Sequence, residues 1–319
     1  MPQSRRIKRR ISGVLLLDKP SCISSNQALQ IAKRIFTACK AGHTGTLDPL
    51  ATGLLPICFG EATKFSSALL GADKTYEATL RLGYISTTGD AEGEISAVAD
   101  VPPEDLKLTL TQVETVLQSF MGVITQIPPM YSALKHHGKP LYTYAREGVE
   151  IERQPRQISI YDLRIEALEG AEMRIVVKCS TGTYVRTLAE DIGKALGCGG
   201  AYLTALRRSI LDTFDLSQAY TLDALEAMSL TQRDSCLRSA DSLLHDLPAV
   251  TIGGAAVAAL LQGRVVGDCF PSDTLNNLIG LADGGKIRLY DQENHFIGLG
   301  EITIRGEIAP KRLMMEQVL

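Results

Sequence analysis

Between Gly42 and Lys64 the chain reads GHTGTLDPLATGLLPICFGEATK, and this stretch limits what can be built around it. Asp48 stands before Pro49, a position biased toward extended backbone, and Gly45 and Gly53 permit sharp turns on either side. The carboxylate is thereby put on display. His43, Thr44, Thr46 and Thr52 gather polar side chains at the same turn, while Leu47, Leu50, Leu54, Leu55 and Ile57 supply an apolar wall. A polar loop seated on such a wall describes a pocket, although an isolated Asp-Pro also fits an Asx-turn at the surface. The glycines do not make a phosphate cradle, because neither a Gly-Lys-Ser/Thr ending nor a GxGxxG run is present.

At 319 residues the chain has material for one large domain and a small one. No apolar run approaches the length needed to cross a bilayer, and the basic start MPQSRRIKRR lacks a small-residue cleavage site, so it reads as a basic arm. The seven cysteines (22, 39, 58, 179, 198, 236 and 269) show no CxxC pairing, which points to reduced thiols in a cytoplasm. The five histidines include no HExxH, and no metal is expected. The formal net charge of −3 is set against local basic clusters at Arg5, Arg6, Lys8, Arg9 and Arg10, at Lys135 to Lys139, at Arg207 with Arg208, and at Lys311 with Arg312. Clustering of this kind, more than net charge, decides whether phosphates can be met.

Gly13 to Leu17 reads as a short buried strand. Ser24 and Gln27 have capping-box spacing for a helix carrying Ala28, Ile31, Ala32, Ile35 and Phe36. Ala62, Phe65, Ser66, Leu69 and Leu70 mark another helix. Thr75 to Leu82 alternates, which sends Tyr76, Ala78, Leu80 and Leu82 inward. Thr111 with Glu114, and Thr187 with Glu190, have the spacing to cap two further helices; the second places Arg186 beside a helix N-terminus. Ile127 to Arg153 interleaves rings with Lys135, Lys139 and Arg146 among helix-breaking residues, a composition that suits stacking on bases and pairing with phosphates. Past a boundary near Leu247-Pro248, KIRLYDQENHFIGLGEI gives two strands about a polar turn.

The central stretch resembles the catalytic loop of the pseudouridine synthases, in the TruB branch that modifies the T-arm uridine of tRNA at position 55. Its pattern G-H-x-G-x-L-D-P-x-A-x-G-x-L is met at Gly42, His43, Gly45, Leu47, Asp48, Pro49, Ala51, Gly53 and Leu55. Lys74 to Tyr76 matches the K-x-Y segment, Ile127 to Lys135 matches I-P-x-x-Y-S-A-x-K, and Ser180 to Leu188 matches S-x-G-T-Y-x-R-x-L. The resemblance implies an α+β fold: a mixed, largely antiparallel sheet flanked by helices over residues 1–247, with an RNA-gripping insertion at about 124–153, and a small PUA-like barrel over 248–319. It implies Asp48 as the essential group, Arg186 as its partner and Tyr76 at the base. His43, Tyr184, Leu206, Lys64, Lys135, Arg146, Arg207 and Arg208 are implied as substrate-binding residues. It further implies a monomeric, stand-alone isomerase of the tRNA T-arm stem-loop, with no cofactor, no guide RNA and no membrane. Arg186 is expected to lower the pKa of Asp48 through a fork of two parallel hydrogen bonds. A glycoside hydrolase would need a second carboxylate across the pocket, where the motifs offer an arginine and a tyrosine. A non-catalytic tRNA-binding or folding protein would have no need of the Asp48–Arg186 pair.

Overall fold

The computed structural model describes residues 8–98, 108–267 and 284–315; Arg5, Arg6 and Cys269 lie outside them. Strand β1 (Gly13–Lys19) leads through helix α1 (Ser25–Ile35) to β2 (Ala41–His43) and β3 (Thr52–Phe59). A 3-10 helix (Gly60–Gly71), β4 (Lys74–Leu82) and the small hairpin β5 (Tyr84–Ser86) and β6 (Ile95–Ala97) follow. Helix α2 (Leu110–Ser119) and β7 (Gly122–Gln126) precede a second small hairpin, β8 (Lys135–His136) and β9 (Lys139–Pro140), and helix α3 (Leu141–Arg146). Then come β10 (Arg156–Glu169), β11 (Glu172–Cys179), α4 (Val185–Ala195), β12 (Ala201–Leu211), β13 (Phe214–Asp215), β14 (Tyr220–Thr221), α5 (Leu222–Ala227) and α6 (Leu230–Ser235). The C-terminal part holds β15 (Ala249–Thr251), α7 (Gly254–Leu261), β16 (Lys286–Tyr290), β17 (Phe296–Ile302) and β18 (Ile308–Leu313).

The principal sheet runs β14-β1-β3-β12-β4-β11-β10-β7, with β2 and β13 attached to β3 and β12. Only the β1–β14 and β3–β12 pairs are parallel, so the sheet is mixed and largely antiparallel. The C-terminal residues form a separate four-stranded sheet, β15-β16-β17-β18. The alternation in β4 is as the sequence dictates: Tyr76, Ala78, Leu80 and Leu82 are buried in the main core with Leu188 and Ile192 of α4 and with Ala28 and Ala32 of α1. Burial of such a cluster is what holds helices on the sheet, at about 25 cal/mol for each Å² of apolar surface removed from water.

Local signals in the sequence hold where the side chains themselves close the hydrogen bonds. Ser24 accepts from the Gln27 N–H, and the Gln27 side chain accepts from the Ser24 N–H at 2.8 Å. Helix α2 is capped instead by Thr109 and Gln112, not by Thr111 and Glu114. The two patterns overlap, and the earlier start places Leu108 and Val113 in staple positions where both join the core. Helix α4 likewise starts before Thr187: Tyr184 is the N-cap, held on both sides by Gln126, which accepts from the Tyr184 N–H at 2.8 Å and donates to its carbonyl at 3.0 Å. The helix expected after the Asp48 loop is wound as a 3-10 helix. The hydroxyls of Thr63 and Ser66 donate to carbonyls three residues back, at 2.7 and 3.0 Å, which favours the tighter winding.

Candidate active site

The Asp48 loop joins β2 to β3 and is tied down from two sides. The Ser25 hydroxyl, on the first turn of α1, donates to the Leu47 carbonyl at 2.9 Å and accepts from the Leu47 N–H at 2.8 Å. Lys19, at the end of β1, is wholly buried, and its ammonium donates to the carbonyls of Pro20, Ile23 and Pro49 at 2.8, 2.7 and 3.2 Å. Three acceptors thus meet three N–H groups. Burial pulls the Lys19 pKa down to about 8, with Glu92, Asp48 and Cys22 opposing. The sequence marks Lys19 only weakly, as an ionisable residue that with Asp18 ends a strand whose run from Val14 to Leu17 is apolar.

Arg186 sits in the first turn of α4 and meets the loop from the opposite side. Its Nε lies 3.1 Å from Oδ2 of Asp48, and the guanidinium side chain is 6% exposed. The expected fork is not formed. Nη1 and Nη2 donate instead to the carbonyls of Thr88 and Tyr131 at 2.6 and 2.7 Å, because the two loops carrying those residues converge on the helix start. A second carboxylate is present: Asp90 is 2% exposed, and its Oδ2 lies 3.7 Å from the same Nε. Asp90 is fixed by the Thr88 hydroxyl at 2.6 Å and the Glu92 N–H at 3.1 Å, both donating to Oδ1. The sequence does not mark Asp90 as part of the site; its burial beside Arg186 comes from the fold.

Arg186 lowers the Asp48 pKa as expected, but desolvation outweighs it. Forty per cent of the side chain is exposed, yet protein packs closely about the carboxylate, and desolvation pushes the pKa above the usual carboxylate range. Arg186 and Lys19 pull it down, while Asp90 adds to the rise. Glu92 nearby is raised too, first by burial and then by Asp90 and Asp48.

A cleft of about 970 Å³ opens at Asp48. His43, Asp48, Asp90 and Arg186 line it from the sheet side, and Tyr131, Ser132, Tyr142 and Arg146 line it from the insertion. His43 Nδ1 is 2.6 Å from the Gly45 carbonyl, and the Arg146 guanidinium lies over the Tyr142 ring at 5.5 Å. Tyr76 is 9% exposed, with Val177 and Arg208 as its strand partners. Burial raises its phenol pKa, and Arg208 opposes the rise. Leu206 and Leu50 line a neighbouring hollow of about 600 Å³. The Tyr184 ring carries the Arg156 guanidinium at 4.7 Å.

Several cations named from the sequence are engaged elsewhere. Lys64 donates to Glu61 at 2.6 Å and to the Leu313 carbonyl at 2.8 Å, joining the 3-10 helix to β18. Arg207 forms a bidentate pair with Asp18 at 3.1 and 2.7 Å. Arg208 is 1% exposed and does not offer a surface contact to RNA. Arg9 pairs with Asp234, Lys139 with Glu147 and Lys311 with Glu301. Lys135 stands exposed on its hairpin. Among the described residues, two groups could hold a metal ion, Asp212 with His245 and Asp246, and Asp291 with Glu293 and His295; none of these lines the cleft. No described helix is long and apolar enough to cross a membrane.

Three family profiles match the chain in succession. They are the N-terminal domain of the TruB family of pseudouridylate synthases at residues 33–185, the C-terminal domain of tRNA pseudouridylate synthase B at 186–250, and the C-terminal part of pseudouridine synthase II TruB at 248–314. A protein of Nitrosospira multiformis named tRNA pseudouridine synthase B is 67% identical over 96% of both chains. One of the same name from Methylobacillus flagellatus is 52% identical over 98% of this chain and 99% of its own. Among solved structures, an archaeal box H/ACA Nop10–Cbf5 complex aligns with a TM-score of 0.67 at 23% identity, over 96% of this chain and 89% of that one, a likeness of fold. With the profiles and the identity running through both parts of the chain, the protein belongs to the TruB family of pseudouridylate synthases.

Proposed function

We propose that the protein converts the uridine at position 55, in the T loop of tRNA, to pseudouridine, as a stand-alone cytoplasmic enzyme that needs no guide RNA. The observation that carries this reading is the Asp48–Arg186 contact, set in a cleft whose far wall is the tyrosine- and arginine-bearing insertion. The reaction breaks the N1–C1′ bond, turns the base and joins C5 to C1′. Nothing is oxidised and nothing leaves, so the residues present suffice.

The target nucleotide is extruded from its loop to reach Asp48, at a cost of a few kcal/mol of unstacking. His43 fills the vacated space, and Tyr76 packs against the base. Attack on C1′, attack on C6 and assistance to glycal formation all start from an ionised Asp48, which Arg186 favours against the desolvation of the cleft. Tyr76 takes the proton from C5 at the end. Residues 1–247 act as the catalytic domain, with the insertion at 124–153 gripping the T loop, and 248–319 as a PUA-like RNA-binding module on a monomer. A protein that only bound or folded tRNA would gain nothing from holding a carboxylate against desolvation.

The test is release of tritium from C5-labelled uridine in tRNA, with a T-arm minihelix as a second substrate. Asp48→Asn is expected to fold and bind tRNA but release none. Clear turnover by that variant would remove Asp48 from its role, and failure of the minihelix would break the assignment to the T arm.

A further inference from the structure

Arg208 is buried to 1% exposure, yet it is only partly satisfied. Its Nε donates to the Leu54 carbonyl at 2.7 Å, while Nη2 has no hydrogen-bond partner. A buried guanidinium with an unspent donor is costly, and such a group is kept where its charge is used. Its location is specific. Arg208 stands directly across from Tyr76 in the β4–β12 register. A Cβ on Gly45, at the turn before Asp48, would lie 3.8 Å from Arg208 Nη1, and Gly53, after the loop, packs against the Arg208 backbone. The guanidinium therefore lies between the Gly45 turn and the Leu54 carbonyl, on the β12 position that faces Tyr76.

The groups that act on the Tyr76 hydroxyl are Arg208 from β12, Cys179 from β11 and Asp48 from the loop. Burial pushes the Cys179 thiol up to about 11, so it is neutral near pH 7, and Asp48 disfavours a second negative charge. Lys74, on the strand of Tyr76 itself, has its pKa lowered by burial and by Arg208. Arg208 is the group in this set that both adjoins Tyr76 and stays cationic throughout.

We propose that Arg208 is a positioning residue that holds the Tyr76 hydroxyl and stabilises its phenolate for the final proton transfer. This rests on the reading of Tyr76 as the acceptor at C5. In that step the phenolate oxygen takes the C5 proton, the C–H pair forms the C5–C6 double bond, and the C6–N1 π pair moves onto N1. N1 takes a proton from water, and the phenol returns its own to solvent.

The experiment compares wild type, Arg208→Gln, Arg208→Lys, Tyr76→Phe and the Arg208→Gln/Tyr76→Phe double variant by single-turnover tritium release, with RNA binding measured alongside. Fluorine NMR follows the ionisation of 3-fluorotyrosine placed at position 76. Arg208→Gln is expected to slow release about tenfold or more, to leave RNA affinity within about threefold, and to move the ionisation up by about one pH unit, the equivalent of that tenfold. Arg208→Lys is expected to recover part of both. In the Tyr76→Phe background the Gln substitution should cost little more. Losses that multiply in the double variant, or an ionisation that does not move, would overturn the inference and leave Arg208 a structural residue. Should Arg208→Gln fail to fold, the ionisation in Arg208→Lys decides: no upward movement overturns the proposal. A wild type that releases no tritium would instead overturn the proposed function.

Discussion

Arg186 touches Asp48 through Nε alone, at 3.1 Å, while both terminal nitrogens are spent on the Thr88 and Tyr131 carbonyls. One side chain thereby fixes the Asp48 carboxylate, the loop before Asp90 and the insertion at a single point. A lysine at 186 can reach the carboxylate or the carbonyls, but not all three in this arrangement. Hydrogen bonds to charged groups contribute about 1.5–3 kcal/mol each, so losing two would slow turnover by about 10²-fold or more. Single-turnover rates of Arg186→Lys check this; a loss below about fivefold would reduce Arg186 to a point charge.

Asp90 tunes Asp48 through charge. Its negative charge is one of the causes that raise the Asp48 pKa, so removing it lowers that pKa. Asp90→Asn keeps an Oδ1 acceptor for Thr88 and Glu92 while discarding the charge. The role proposed for Asp48 needs its ionised form, so the acid limb of kcat/KM in the wild type should sit above the ordinary aspartate range, and in Asp90→Asn it should move to lower pH. A limb that moves upward, or stays, would show that the Asp90 charge does not reach Asp48.

Lys19 sets the opposite limb. Above about pH 8 its amine is left with two N–H groups for three carbonyls, one of them that of Pro49 next to Asp48. Turnover is expected to fall as pH rises through about 8. Stability moves the other way. The folded pKa lies below the unfolded one, so between about 8 and 10.5 the unfolded chain holds more protons, and this group's share of the unfolding free energy rises with pH. Rates and urea midpoints measured together from pH 7 to 10 separate the two. Parallel decline of both would mean that the enzyme is unfolding.

The same strand shows where the sequence was legible and where it was not. Asp48, His43 and Arg186 stand in compact motifs, and their convergence on one cleft follows from those motifs. Arg207 and Arg208 read together as a basic patch, but a strand sends neighbours to opposite faces. Arg207 goes out to Asp18, and Arg208 goes in beside Tyr76. Nothing local to the two arginines says that the Asp48 loop lies over the Arg208 face of β12. Lys64 was hidden in the same way, because its partner, the Leu313 carbonyl, comes from the far end of the chain. The Ser24 cap was readable because its partner is three residues away, whereas the start of α4 is set by Gln126 from another strand.

Gly53 is where the backbone leaves least room. It has φ +99°, pairs with Lys19 of β1 on one side and Arg208 of β12 on the other, and a Cβ there would fall 2.3 Å from the Arg208 carbonyl oxygen and 2.9 Å from its nitrogen. Backbone cannot swing aside as a side-chain tip can, so Gly53→Ala must push β12 away from β3 or abandon the left-handed turn. Either displaces a buried cation: Arg208 beneath the loop, or Lys19 against the Pro49 carbonyl. The expected cost is about 2–4 kcal/mol in urea unfolding, with turnover lost beyond what stability explains. Gly71→Ala is the control, since nothing lies within 4 Å of a Cβ at that position. If Gly53→Ala matched the control in stability and rate, the packing of the Asp48 loop on β12 would not be what holds Asp48 in place.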